Sequence, residues 1–287
     1  MTDVTTKPQT DATPIGVFDS GVGGLSVLKH IRQLLPHEDL LFCADCDHAP
    51  YGNKSPEFIR ERALHLSGFL IAEGAKALVV ACNTATAAAI EALRQHYPLP
   101  IIGMEPAVKP AAAATRTGVI GVLATSGTLQ SAQFAGLLES YGQNVRVVTQ
   151  ACIGLVECIE RGELEADSTR QLVSQYLQPL LDAGADTIVL GCTHYPFVRH
   201  LIAAQAGAGV TLIDTGEAVA RQVQKRLAES GLLNATNAAP RNTFWVNRQS
   251  GDAFLETAEV ITGLWGGKAD LQPLPNPVKY RARLLSQ

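Results

Sequence analysis

Ala77-Leu-Val-Val-Ala-Cys82-Asn-Thr84 reads as a short apolar run that stops abruptly on a thiol, an amide and a hydroxyl. Thr187-Ile-Val-Leu-Gly-Cys192-Thr-His194 reads the same way. Short β-branched runs bounded by glycine or polar residues are the mark of strands buried on both faces of a parallel sheet. Outward from these two, similar runs fall at 15–18, 40–44, 101–103, 119–123, 145–149 and 210–214, taking the first two as 77–81 and 187–191. Longer amphipathic stretches at 56–73, 85–96, 131–141, 168–183 and 218–230 are expected helices between them. Strand and helix in alternation imply βαβ units and an open α/β sheet. Ligands of such sheets bind beyond the carboxyl ends of the strands, where Cys82 and Cys192 stand.

The pattern repeats. Ile15-Gly-Val-Phe-Asp-Ser-Gly resembles Ile120-Gly-Val-Leu-Ala-Thr-Ser-Gly, and the two cysteine segments resemble each other. The spacings, 105 residues for the first pair and 110 for the cysteines, are nearly equal. The expectation is two similar doubly wound parallel-sheet domains facing each other across a cleft. Residues 14–107 with 215–287 would form the first, carrying Asp19, Tyr51 and Cys82; residues 108–214 would form the second, carrying Glu160, Cys192 and His194. The stretch from 215 on returns to the first domain with a helix, a strand near 243–246 and a helix over 252–262. Residues 1–13 read as a polar tail, and Pro273-Leu-Pro-Asn-Pro277 as an extended tail without regular structure.

Composition narrows the function classes. The 287 residues suffice for a sizeable core, and 46% hydrophobic with 17% charged residues is ordinary for a globular chain. A net charge of −4 offers no basic footprint for nucleic acid. No apolar run is long enough to span a membrane. The first residues lack the basic start and apolar stretch of an export signal, so a cytoplasmic protein is expected, with its six cysteines reduced.

Two cysteines at matching strand ends need a reading other than disulfides. A helix starting after each would present unpaired N–H groups that bind a carboxylate and lower a thiol pKa. A cysteine is often just a small core residue, but paired placement beside Asn83, Thr84, Thr193 and His194 argues for chemistry. Asp19-Ser20-Gly-Val-Gly-Gly24 follows the first strand. Its glycines would let the backbone turn sharply towards a ligand. It is not a dinucleotide fingerprint, and an acid before the loop would repel a pyrophosphate. Helix capping is the plain alternative for Asp19. Tyr51 and Gly52 could close a small polar pocket or form a simple turn. Glu160 lies in a short helical piece, where a solvated acid is the default; His194 could be an acid, a cysteine partner or a surface imidazole. Cys43-Ala-Asp-Cys46 has no second ligand pair, so no metal site is expected.

Together these segments resemble the glutamate branch of the aspartate/glutamate racemase superfamily. The matching stretches are Phe18-Asp-Ser-Gly-Val-Gly-Gly-Leu-Ser-Val27, Pro50-Tyr-Gly52, Ala81-Cys-Asn-Thr-Ala85 and Gly191-Cys-Thr-His-Tyr-Pro196, in the family's order and spacing. Aspartate racemases typically carry Thr-Glu after the second cysteine, where this chain has Thr193-His194. One departure is Ala124-Thr-Ser-Gly-Thr128, where the family more often has Gly-Thr. The resemblance implies inversion of L-glutamate to D-glutamate without a cofactor, for bacterial peptidoglycan. It implies that Cys82 and Cys192 act on opposite faces of the α-carbon, Cys82 on D-glutamate and Cys192 on L-glutamate. It further implies that Asp19 assists Cys82 or meets the substrate ammonium, and that His194 and Glu160 assist Cys192. Ser20, Tyr51, Gly52, Asn83, Thr84 and Thr193 would bind substrate. A homodimer fits this reading; a nucleic acid or membrane partner does not. The rival readings are a racemase for aspartate or another amino acid, a pyridoxal enzyme for which Lys29, Lys54, Lys76 and Lys109 offer no clear Schiff-base lysine, and a non-catalytic amino-acid-binding protein.

Overall fold

The computed structural model describes residues 12–275 other than 235, 237 and 250. In chain order its strands are β1 (Ile15–Asp19), β2 (Leu40–Ala44), β3 (Ala77–Val80), β4 (Ile101–Ile102), β5 (Val119–Ala124), β6 (Arg146–Ala151), β7 (Thr187–Leu190), β8 (Thr211–Ile213), β9 (Asn242–Val246) and β10 (Asp270–Pro273). They form two parallel sheets, ordered β10-β9-β2-β1-β3-β4 and β6-β5-β7-β8.

The sequence repeat is a repeat of topology and of register. The order β2-β1-β3-β4 in one sheet matches β6-β5-β7-β8 in the other. Gly16 lies opposite Leu78, and its counterpart Gly121 lies opposite Ile188. The ladder then ends alike, with Ala81 N–H donating to the Phe18 carbonyl at 2.8 Å and Gly191 N–H to the Leu123 carbonyl at 2.7 Å. Cys82 and Cys192 therefore leave equivalent strand ends. The paired glycines have a packing cause. A Cβ at Gly16 would lie 3.1 Å from Leu70 Cβ, and one at Gly121 would lie 2.8 Å from Leu180 Cδ1, so a crossover helix presses onto each middle strand.

Those crossover helices are α2 (Pro56–Ala72) and α8 (Asp167–Asp182), joined on their faces by α3 (Asn83–His96) and α9 (Arg199–Ala206) respectively. The other face of the larger sheet carries α1 (Leu25–Leu34), packed on α10 (Gly216–Glu229) and α11 (Asp252–Trp265). That of the smaller sheet carries α4 (Val108–Ala114) and α6 (Ala132–Tyr141), with the one-turn α5 (Ser126–Leu129) between them in sequence. Alternation along β1 sends Ile15 and Val17 into one core and Phe18 into the other. On α1, Leu25, Leu28 and Ile31 form a fully buried stripe, each contributing about 1.5–3 kcal/mol. The chain crosses between sheets at 103–107 and again at 214–215, since α10 returns to α1. No helix among the described residues is long and apolar enough to cross a membrane.

Three expectations need correction. Pro273 does not break regular structure: it ends β10, an edge strand paired on one side only, where a missing N–H is harmless. Leu274 N–H then donates to the Val246 carbonyl at 2.6 Å and its side chain is buried; Asn276 and Pro277 lie outside the described residues, as do 1–11 of the amino-terminal tail. No α-helix starts at Cys192, because a 3₁₀ turn over Tyr195–Val198, holding Pro196, delays α9 to Arg199. Finally, Asp19 caps no helix: the 3₁₀ turn over Val22–Gly24 and α1, which issues straight from Gly24, both start without a capping side chain.

Candidate active site

The carboxyl ends of β1, β3 and β7 converge on one point. Cys82 is the N-cap of α3, its backbone extended and its Sγ accepting from Ala85 N–H at 3.5 Å. Asn83 and Thr84 form the first turn of that helix and are buried. Both side-chain polar atoms of Asn83 lack a partner. A buried amide left so costs roughly 1–3 kcal/mol, which a ligand on that amide would recover. Behind Cys82 stands fully buried Asp19. Its Oδ1 accepts from Ser20 N–H at 2.6 Å and from Ser20 Oγ at 3.2 Å, while Ser20 Oγ lies 3.8 Å from Cys82 Sγ. Thr193 Oγ1, from the other sheet, donates to Asp19 Oδ2 at 3.2 Å.

The second thiol has different surroundings. Cys192 Sγ lies 3.6 Å from His194 Nδ1, and His194 Nε2 lies 2.5 Å from Glu160 Oε1. Glu160, at the end of α7 (Leu155–Glu160), also accepts from Val22 N–H at 2.7 Å, across the cleft. The glycines of the Asp19–Gly24 loop make this approach possible, and not by a left-handed turn, since Gly21 is extended at φ −165°. A Cβ at Gly21 would fall 1.9 Å from Glu160 Oε1, and one at Gly23 would fall 2.3 Å from His194 Nδ1. The loop thus meets the opposite lobe, not a phosphate.

Burial and close charges shift Cys82, Asp19 and His194 from their ordinary ranges. Burial, with the Asp19 carboxylate next, pushes the Cys82 thiol well up, and the single Ala85 N–H does not reverse this. At Cys82, burial and the Asp19 carboxylate act against the lowering expected from the helix start. Burial likewise raises the Asp19 carboxyl, against the His194 charge and its hydrogen bonds. Burial favours neutral His194, but its contacts with Cys192 and Glu160 prevail and hold its pKa well above the usual histidine range.

Ser20, Tyr51, Gly52, Cys82, Asn83, Thr84, Cys192, Thr193 and His194 line one cavity, together with Pro50, Thr125, Val156 and Gly191. Asp19 and Glu160 stand behind the cysteines and do not line it. Its interstices total about 270 Å³, but the continuous void holds about one water. The lobes are closed upon it: Thr84 Oγ1 lies 2.8 Å from Thr125 Oγ1 and 3.1 Å from Thr128 Oγ1, and Ser26 Oγ donates to the Thr193 carbonyl at 2.8 Å. The Tyr51 hydroxyl faces away from the cavity, donating to Asp45 at 2.6 Å, so only the rest of Tyr51 can serve as wall. Cys43, Cys46, Cys152 and Cys158 are buried and unbridged. Among the described residues no cluster of three or more His, Cys, Asp or Glu is arranged to hold a metal ion. Sequence reasoning missed Val22, whose contribution is a backbone N–H, and Asp45, whose partners come from distant segments.

Two similar parallel-sheet lobes closed over one cavity, with a buried thiol at the matching strand end of each, are the plan of an α/β racemase. The chain belongs to the Asp/Glu/hydantoin racemase family, whose model matches residues 15–223. It is similar to a glutamate racemase of Ectopseudomonas mendocina, 61% identical over 240 residues, 83% of this chain and 90% of that one. Among solved structures it resembles the glutamate racemase of Francisella tularensis in complex with D-glutamate, at 30% identity and TM-score 0.79, covering 92% of this chain and 98% of that one. It also resembles the Escherichia coli glutamate racemase in complex with L-glutamate and the activator UDP-MurNAc-Ala, at 31% identity and TM-score 0.81, covering 91% and 98%.

Proposed function

We propose that this chain interconverts L- and D-glutamate without a cofactor, by a two-base mechanism in which Cys82 and Cys192 serve opposite faces of the α-carbon. One observation carries the reading. The two sulfurs hang from register-equivalent strand ends over one cavity, beside the unpaired carboxamide of Asn83. Relatives that carry the name glutamate racemase support the substrate, and two of the similar structures hold opposite enantiomers of it.

Inversion requires that a proton leave one face and another arrive on the opposite face. From L-glutamate, the Cys192 thiolate takes the α-proton while the Cys82 thiol donates its own. The C–H electron pair passes through a carbanion and forms the new C–H bond. Cys192 ends as thiol and Cys82 as thiolate; the reverse path starts from that state. The high proton affinity of Cys82 suits it as the initial donor. Asp19 is placed to receive that proton when D-glutamate is the substrate. The His194 imidazolium is the counter-charge for an anionic Cys192, and Glu160 orients it. The α-proton is weakly acidic, so hydrogen bonds from Asn83, Thr84, Thr193 and the start of α3 to the substrate carboxylates must lower the barrier. Ser20, Tyr51 and Gly52 complete the wall.

The moving units are residues 14–107 with 215–287 and residues 108–214, which must part to admit substrate. Supply of D-glutamate for peptidoglycan, a cytoplasmic site of action and a homodimeric assembly belong to the same proposal.

The test is chiral analysis after incubation of each enantiomer alone in deuterated water, with nothing else added. Each should yield the other with one solvent deuteron at the α-carbon, and product that keeps the substrate hydrogen at early times would overturn the two-base scheme. Cys82→Ala and Cys192→Ala should each abolish inversion, while one-sided elimination from an analogue bearing a leaving group survives. Normal inversion by either variant would remove that cysteine from the mechanism.

A further inference from the structure

Behind the wall that carries Tyr51 lies a buried carboxylate with no part in the chemistry above. Asp45, the residue after β2, is fully buried, and both its oxygens are saturated. Its Oδ2 accepts from the Tyr51 hydroxyl at 2.6 Å and from Arg62 Nε at 2.9 Å. Its Oδ1 accepts from Arg62 Nη2 at 2.6 Å and Asn247 Nδ2 at 2.8 Å, and lies 3.0 Å from His48 Nδ1. Its own N–H donates to the Asp19 carbonyl at 3.1 Å.

These partners come from α2, from the end of β9 and from the two turns after β2. Burial alone would neutralise such a group. The Arg62 hydrogen bonds and charge, with those of Tyr51 and His48, outweigh it and hold the Asp45 carboxyl below the usual range. An ionised, fully bonded carboxylate of this kind is a rigid post.

What the post holds is the Pro50–Gly52 segment. Pro50, Tyr51 and Gly52 line the cavity, and Gly52 is seated so closely against the other lobe that a Cβ there would lie 2.7 Å from Thr125 Cβ. A shift of this segment by a few tenths of an ångström would either collide with Thr125 or open the wall.

We infer that Asp45 is a positioning residue for substrate binding: acting through the Tyr51 hydroxyl, with Arg62 as its counter-ion, it pins the Pro50–Gly52 wall at the height that closes the cavity on glutamate. This rests on the glutamate reading above. Neither Asp45 nor the Tyr51 hydroxyl touches a sulfur or the reacting carbon, so the effect belongs in KM and not in kcat.

The experiment is a double-mutant cycle of Asp45→Asn and Tyr51→Phe, read as kcat and KM for L-glutamate, with glutamate affinity measured by calorimetry on the same samples. Each single variant should raise KM and the dissociation constant about tenfold and leave kcat within about threefold, the scale of one charge-assisted hydrogen bond. Because Asp45 acts through that hydroxyl, the double variant should be no worse than the poorer single one. Tyr51→Phe removes one oxygen and keeps the ring, so it stands as the test if Asp45→Asn does not fold. A Tyr51→Phe variant with unaltered KM and affinity would overturn the inference. So would effects that multiply, or a loss confined to kcat. The unmutated chain separates the two claims: binding of glutamate without interconversion would sink the racemase reading, and the cycle on affinity would still decide the role of Asp45.

Discussion

His194 is the residue whose charge state is most at odds with its burial. A sequestered imidazole should be neutral, yet Cys192 and Glu160 keep it protonated above its ordinary range. The sign of the pH effect follows. With its value raised in the folded protein, the cation and its pairing with Glu160 persist through neutrality and disappear as pH rises through that raised value. His194→Gln should therefore slow turnover of L-glutamate by about 10²–10⁴-fold and abolish the alkaline fall in its rate. Initial rates across the alkaline range check this, and a variant with an unchanged alkaline limb would assign the limb elsewhere. Asp186, beside β7, shows the opposite sign. Burial would raise its carboxyl, but Thr115 Oγ1 at 2.5 Å and the N–H groups of Arg116 and Thr117 at 2.7 and 2.9 Å hold it far below the usual range. Its stabilisation is complete above the unfolded carboxylate range and is lost as pH falls. Asp186→Asn should cost about 1–3 kcal/mol at pH 7 and progressively less in acid, measured by thermal unfolding.

Among the elements, the loop between β1 and α1 carries the most consequence per residue. A methyl at Gly21 or Gly23 would strike Glu160 or His194 at 1.9 or 2.3 Å, and neither carboxylate nor imidazole has room to retreat without breaking the chain of contacts to Cys192. Gly21→Ala should lower kcat by about a hundredfold, as misplacement of reacting groups by an ångström does, while the protein still melts cooperatively. Wild-type turnover would mean that the loop does not govern Glu160. The loop also marks how far sequence reasoning reaches. Strand identity, the two-sheet plan and the cysteine pair were legible because buried parallel strands write themselves as short apolar runs, and because the runs recur in order. The purpose of the glycines was not. A local pattern registers that no side chain is tolerated, but the obstructing atoms come from residues 160 and 194. The same limit hid Asp45, whose five contacts reach from His48 to Asn247. It also hid β10, whose proline reads as a breaker until its edge position is known.

For the whole molecule, the decisive quantity is the closeness of the lobes. A void for about one water is too small for a dicarboxylate, so the lobes are expected to part around it, and the Thr84–Thr125 and Thr84–Thr128 hydroxyl contacts and the Val22–Glu160 bond are contacts that span them. The chain segments at 103–107 and 214–215 are where that motion can pivot, being the two crossings between sheets. The Val22 amide is its natural reporter. Its hydrogen exchange should be fast without ligand and should slow by about tenfold or more with saturating glutamate, since exchange tracks the population of the opened form. Equal protection in both conditions would mean that access does not require opening at Val22.

The two walls of the cleft are unlike, an aspartate behind one sulfur and an imidazole with a glutamate behind the other. Mirror-image solutes in water have identical free energy, so no arrangement of those walls can favour one product at equilibrium. Thermodynamics then demands that kcat/KM be the same whichever hand is supplied. The dissimilarity can surface only as matched gains and losses, a faster but weaker-binding direction set against a slower, tighter one.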